Sequence, residues 1–212
     1  MGTLFRLLVW VVGAVVAVCG LLYMAVFDVW RIPGDDPLLT ASILPTLAPG
    51  DLVLLLKRSP GVGRGQLLRC PDPQAAGRFV VARAIGKGGD LLSIESELVA
   101  LDGRRVGDAR ACAEPSLAVQ NPSNGEDDVL ACSIEEFGEV AHPTLRATAR
   151  IEPPTHLTVE PGRWFLVSDD RHFHLDSRDY GQVDGEACEH IVFRLVGAGG
   201  WADSARRLML IW

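Results

Sequence analysis

The feature that most constrains this chain is a run of 21 residues, 7–27, LLVWVVGAVVAVCGLLYMAVF, without a single charge. At ~1.5 Å per residue a helix of that length crosses a bilayer core of roughly 30 Å, so the run predicts a transmembrane helix. A cleaved secretory signal is the rival reading. Its apolar region spans about 7–15 residues and ends at an Ala-x-Ala-like site, whereas Asp28, Val29, Trp30 and Arg31 follow here. Arg6 precedes the run and Asp28, Arg31, Asp35 and Asp36 follow it, which predicts a short cytoplasmic N-terminus (1–6) and a single large domain (28–212) across the membrane.

The chain has 20 Lys+Arg against 27 Asp+Glu, a formal net charge of −7, and this balance excludes a broad nucleic-acid footprint, which needs clustered basic charge. Only Lys57 and Lys87 are lysines, so chemistry that needs a neutral amine has two candidates. Beyond the apolar run, short apolar stretches at 51–56, 77–85, 91–94, 98–101, 164–167 and 190–196 are separated by turn sequences such as Gly-Lys-Gly-Gly-Asp and Glu-Pro-Gly-Arg. The pattern predicts a mostly antiparallel β domain with an irregular insertion at about 111–155. The stretch 201–212, with Trp201, Arg206 and Arg207, reads as a docked C-terminal strand in preference to a segment lying on the membrane surface.

Cys70, Cys112, Cys132 and Cys188 form an even set on the side expected to be oxidising. Four cysteines permit three full connectivities; pairing Cys112 with Cys132 is favoured because it closes a polar insert with little core of its own, and four free buried thiols are the alternative. No Cys/His spacing suggests zinc. The glycines of 86–90 do not match a phosphate-binding loop, so no metal and no other cofactor is expected.

Three segments carry unusual combinations: Thr40-Ala-Ser-Ile-Leu-Pro-Thr-Leu-Ala-Pro-Gly-Asp51, Val80-Val-Ala-Arg-Ala-Ile-Gly-Lys-Gly-Gly-Asp90, and Ser168-Asp-Asp-Arg-His-Phe-His-Leu-Asp-Ser-Arg-Asp-Tyr-Gly181. Together they resemble type I signal peptidases, membrane-anchored serine proteases that remove signal peptides from exported proteins. The pattern Ser-x-x-Pro-Thr-Leu…Gly-Asp is met by Ser42, Pro45, Thr46, Leu47, Gly50 and Asp51. The later pattern Gly-Asp-Asn-Arg-Asp-Asn-Ser-x-Asp-Ser-Arg-x-x-Gly is met by Asp169, Arg171, Asp176, Ser177, Arg178 and Gly181.

The resemblance implies a signal-peptidase-like β fold after one anchor and a hydroxyl nucleophile activated by a neutral lysine, a base that burial brings into range. It assigns the nucleophile to Ser42 and an oxyanion-binding hydroxyl to Thr40. Where the family has its general-base lysine, this chain has Ala82, and Arg83 beside it stays protonated. Where the family has a serine beside that lysine, this chain has His174, which suggests a Ser42/His174 pair with Asp176 or Asp170 orienting the ring. His172 and His174 equally suit a loop in a homologue without peptidase activity. Asp176 and Arg178 suit an ion pair that holds their segment against the nucleophile loop. His142, His156 and His190 read as loop or strand-end residues.

Ile43, Leu47, Val80 and Val81 are assigned by the resemblance to a cleft where an extended peptide adds to a strand edge, although ordinary core packing explains the same residues. Two functions follow. The first is a membrane-bound serine endopeptidase that cuts the signal peptides of exported preproteins at the outer face of a bacterial cytoplasmic (inner) membrane. The second is an inactive homologue that binds exported segments or partners an active peptidase or the secretion machinery. Membrane lipid is a partner in both.

Overall fold

A computed structural model describes residues 2–57, 61–95, 97–106, 108–138, 140–147 and 154–211. In chain order a long helix α1 (Gly2–Val26) leads into β1 (Phe27–Arg31), a short helix α2 (Pro37–Ser42), β2 (Leu52–Leu56), β3 (Leu67–Pro71) and β4 (Phe79–Lys87). Then come β5 (Leu91–Glu95), β6 (Leu98–Leu101), β7 (Arg104–Arg105), β8 (Asp108–Gln120), β9 (Asp127–Phe137), β10 (Val140–Arg146) and β11 (Thr155–Thr158). The last elements are β12 (Arg163–Val167), α3 (Ser177–Tyr180), β13 (Val183–Asp184), β14 (Glu189–Val196) and β15 (Met209–Leu210). The protein is mostly antiparallel β after one apolar helix, as the turn-punctuated sequence predicts.

The window Phe5–Val26 is long and apolar enough to cross a membrane and none of it is buried against the domain. A helix with exposed apolar side chains all round finds its partner outside the chain, in hydrocarbon. The helix stops one residue before the predicted end of the span. Phe27 belongs to β1, where it pairs with Leu56, because its backbone groups are taken up by a sheet ladder.

The main sheet runs β1-β2-β14-β3-β4-β12-β13, with β15 on β14. β4 is buried from Val80 to Gly86, which explains its near-continuous apolar sequence: it lies between β3 and β12 and both faces are covered. Its alternate residues enter different clusters. Val81 packs with Ile32, Leu39, Ile43, Leu47, Val53 and Leu55, while Val80, Ala82 and Ala84 pack with Leu68, Leu166 and the Cys70–Cys188 disulfide. Leu175 packs against both clusters. β15 pairs through Leu210 with Phe193, the docked strand expected of the C-terminal stretch.

The expected irregular insertion is instead a three-stranded antiparallel sheet, β10-β9-β8, with Cys112 and Cys132 joined across it. Its strands are polar on the solvent side, so they lack the apolar runs that mark a strand in sequence. Val119, Leu130 and Leu145 bury their side chains against Ala41 and Phe173, and this one-sided burial fixes the ladder. Part of the expected insertion, 148–153, lies outside the described residues.

Candidate active site

Asp36 caps α2 by accepting from the N–H groups of Leu38 (3.2 Å) and Leu39 (3.1 Å), with Pro37 at the first helical position. The helix ends at Ser42, which is fully buried and donates its hydroxyl to the Leu39 carbonyl at 2.9 Å. The backbone N–H of Asp170 donates to the Ser42 carbonyl at 3.1 Å. This contact joins the nucleophile segment to residues 168–176, so two of the three motif segments meet at Ser42. Thr40 Oγ1 is buried without a hydrogen-bond partner among the described residues.

The third segment joins them through β4. Arg83 is fully buried; its Nε donates to Asp169 Oδ1 at 2.8 Å, its Nη1 to the Gly65 carbonyl at 2.8 Å and its Nη2 to Thr46 Oγ1 at 3.2 Å. Thr46 in turn donates to Asp169 Oδ2. The guanidinium thus clamps the nucleophile loop to the 168–176 segment, the holding role that sequence gave to Asp176 and Arg178. Those two instead form a bidentate pair, Nε–Oδ1 3.0 Å and Nη2–Oδ2 2.7 Å, inside their own segment, where Arg178 also donates to the Arg171 carbonyl at 3.2 Å. Burial works against the Asp176 carboxylate, but Arg178 outweighs it and holds the group well below the ordinary carboxylate range.

Ala82 faces the fully apolar side of β4, in register with Leu68. The two lysines are engaged elsewhere. Lys57 donates through Nζ to the Met24 carbonyl at the end of α1, at 3.0 Å, and Lys87 is exposed at the end of β4.

His174 is the imidazole of the site, and its orienting carboxylate differs from the expected Asp176 or Asp170. Its Nδ1 lies 2.8 Å from Asp179 Oδ2, and the same oxygen accepts the Asp176 N–H at 3.0 Å within the capping box of α3. Asp176 and Asp170 are committed to backbone N–H groups, and Asp176 to Arg178 as well. Burial disfavours the imidazolium, yet the Asp179 hydrogen bond and the Asp176 charge outweigh burial and Arg178 and raise the pKa above the ordinary value. The spacing Asp-Ser-Arg-Asp was the available sequence signal for Asp179, since an acid at the third helical position reaches back over the cap. Among the described residues no hydrogen bond joins Ser42 to His174: the Ser42 hydroxyl donates to Leu39 and His174 Nδ1 is held by Asp179.

His174, Asp176 and Asp179 offer ligand atoms within 4.8 Å of one another. Arg178 already supplies the positive charge there, and the carboxylates serve as helix cap and ion-pair partner.

Ile43, Leu47, Val80 and Val81 do not line a cleft. Each is at most 2% exposed, and Val80 and Val81 point to opposite faces of β4, so the four are core residues in two different clusters. A groove of about 610 Å³ does lie beside α2, lined by Trp30, Asp35, Asp36, Leu39, Arg78 and Phe79 among others. One of its lining residues, Leu39, accepts the Ser42 hydroxyl through its carbonyl, while Ser42 itself does not line it. An ion pair between Arg78 and Asp36 spans it.

Behind the site lies a buried charge network that sequence spacing did not indicate. Glu135 of β9 pairs with Arg146 of β10 and with Arg171. His142, read as a loop or strand-end residue, is a core residue of β10 stacked on Phe137 with ring centroids 5.7 Å apart. Burial first, then Arg83, Arg171 and Arg146, push its pKa well below the ordinary value and keep the ring neutral. These groups come from β4, β9, β10 and the 168–176 segment, so only the assembled fold brings them together.

A family model described as "Signal peptidase, peptidase S26" matches residues 4–193, and so covers most of α1, all three motif segments and most of β14. No curated protein matches the chain.

Proposed function

The chain belongs to the signal peptidase family, peptidase S26, and from that premise we propose a membrane-anchored serine endopeptidase with Ser42 as nucleophile and His174 as base. The observation that supports the reading is the 2.8 Å contact of His174 Nδ1 with Asp179, which orients the ring; in this reading Nε2 is the proton acceptor. The Ser42 hydroxyl turns from the Leu39 carbonyl and attacks the scissile carbonyl; its proton passes to His174 Nε2. The tetrahedral oxyanion takes the Thr40 hydroxyl as donor. His174 then protonates the leaving amine, and water, deprotonated by the same imidazole, hydrolyses the acyl-enzyme. The raised His174 pKa suits this exchange near neutral pH.

In this reading the substrate is the signal-peptide end of an exported preprotein, laid extended in the groove beside α2. The setting is a bacterial cytoplasmic membrane, with the N-terminus cytoplasmic and the β domain outside. Arg78 and Asp36 separate to admit the peptide.

A second reading is favoured by one observation, the complete burial of Ser42, in a chain that has Ala82 at the base position. It is an inactive homologue that uses the groove to bind exported segments or that partners an active peptidase.

The test is cleavage of a model preprotein by the full-length protein in detergent across pH 5–9. Cutting after a small residue that is lost in Ser42→Ala and in His174→Ala supports the endopeptidase. Undiminished cutting by His174→Ala excludes this base. No cutting by the native chain, with activity gained by Ala82→Lys, supports the binder.

A further inference from the structure

β2 reads Leu-Val-Leu-Leu-Leu, a strand apolar on both faces. Such a strand calls for cover on both sides, and the chain supplies one of them. Val53 and Leu55 are fully buried with Leu39, Ile43 and Ile191, whereas Leu52, Leu54 and Leu56 alternate to the other face and stay partly exposed. Residues directly opposite in an antiparallel pair share a face, so the register carries this outer face across four strands. Phe27, Val29 and Arg31 of β1 oppose Leu56, Leu54 and Leu52. His190, Phe193 and Val196 of β14 oppose the same three, and Leu210 of β15 opposes Phe193.

Eight of these ten outward positions are apolar and none is acidic, in a chain with 27 Asp+Glu and a net charge of −7. The two ionisable ones are Arg31 and His190, and Lys57 follows Leu56 at the border. Val29 is 42% and Leu210 56% exposed. None of the ten packs into a core cluster. Beyond β14 the same face carries Leu68 and Ala82, and there the chain does cover it, with Val62, Leu175 and Tyr180. The open part begins where α1 ends. Phe27 follows Val26 directly, its ring lies 5.4 Å from that of Tyr23 in the last turn of α1, and the Lys57 N–H donates to the Val26 carbonyl at 2.9 Å. The apolar surface of the helix therefore continues onto the sheet.

We propose that the outer face of β1, β2, β14 and β15 rests on the bilayer into which α1 inserts, so that the β domain binds the lipid surface by a sheet face of its own in addition to the anchor. An apolar face without carboxylates, bordered by Arg31, His190 and Lys57, fits acyl chains among anionic headgroups. β15 lies outside residues 4–193, which the family model matches, so Leu210 belongs to a part of the face that the match does not cover. Leu39 and Ile43 of the nucleophile segment pack on the inner side of the same strands, and the sheet thus stands between Ser42 and the lipid. The inference rests on α1 as the anchor and is independent of whether the chain cuts peptides.

The experiment places one bimane label at a time on the full-length protein in nanodiscs of phosphatidylethanolamine and phosphatidylglycerol, and compares quenching by lipid-borne nitroxide with quenching by aqueous iodide. Cys19, the free cysteine among the described residues, carries the label in the native chain. In a Cys19→Ser background the label goes on Val29→Cys, Leu210→Cys or Val129→Cys. Val129, 68% exposed on β9 of the insertion sheet, is the aqueous reference. Labels at Cys19, Val29 and Leu210 are expected to be quenched several-fold more by the nitroxide, and several-fold less by iodide, than the label at Val129. Iodide quenching at Val29 and Leu210 equal to that at Val129, with Cys19 shielded, overturns the lipid face and leaves the anchor standing. Shielding of Val29 and Leu210 from both quenchers also overturns it, in favour of a protein cover, which is a second copy where the shielding disappears at one chain per disc. Exposure of Cys19 to iodide overturns the anchor and this inference with it.

Discussion

Arg83 on β4 donates through Nε to Asp169 at 2.8 Å, with both side chains 1% exposed. The pair links the strand that carries Ala82 to the segment that carries His174, and Thr46 joins the nucleophile loop to the same carboxylate. All three motif segments therefore depend on one buried ion pair. Removing one partner leaves the other charged and desolvated, which costs about 3–5 kcal/mol. Arg83→Leu and Asp169→Leu are each expected to lose that much in urea unfolding. The double variant is expected to recover part of it, because it leaves neither charge unpaired.

The His174–Asp179 contact sets a pH dependence of its own. The histidine pKa is raised in the folded state, so the stability it contributes is present below about pH 6.5 and is lost as pH rises through the folded value. A base must be neutral, so cleavage is expected to rise over the same interval. In Asp179→Asn the imidazolium loses its partner, and the acidic limb of the activity profile is expected to move to lower pH. An unmoved limb separates this imidazole from the reaction.

Asp176 and Arg178 give the opposite sign. The carboxylate is held below its ordinary value, so its contribution is present above about pH 4 and is lost as pH falls through the folded value. Arg178→Lys keeps the charge but cannot match the two-point contact with Asp176 and the bond to the Arg171 carbonyl. Acid unfolding monitored by circular dichroism is expected to begin at higher pH in Arg178→Lys than in the native chain.

The two disulfides close chain segments of very different length, 20 residues for Cys112–Cys132 and 118 for Cys70–Cys188. On the loop-entropy account the losses on removal are ~3 and ~5 kcal/mol. The paired Ser variants are expected to fall in that order in urea unfolding. Loss of Cys70–Cys188 is also expected to loosen the cluster around Ala82, to which both cysteines belong.

Much of the fold was written locally. Continuous apolar runs mark both β2, whose Val53 and Leu55 face inward, and β4, covered on both faces. Turn residues bound both. The three polar strands of the insertion escaped because a strand that buries one side chain in several carries no clear period. Within the site, Ser42, Ala82 and Asp176–Arg178 were legible as spacing in a short motif, whereas Asp179 was visible only as an acid in a helix cap.

By itself the sequence determined the apolar helix, the β character of the rest and the absence of a lysine where one is expected, since each is a property of neighbouring residues along the chain. The tertiary structure decided what no local pattern contains. It turned Ile43, Leu47, Val80 and Val81 into core, gave His174 to Asp179 and gathered Glu135, His142, Arg146 and Arg171 behind the site. Those relationships depend on desolvation and on charges that meet across elements far apart in sequence, and both exist only once the sheets have packed.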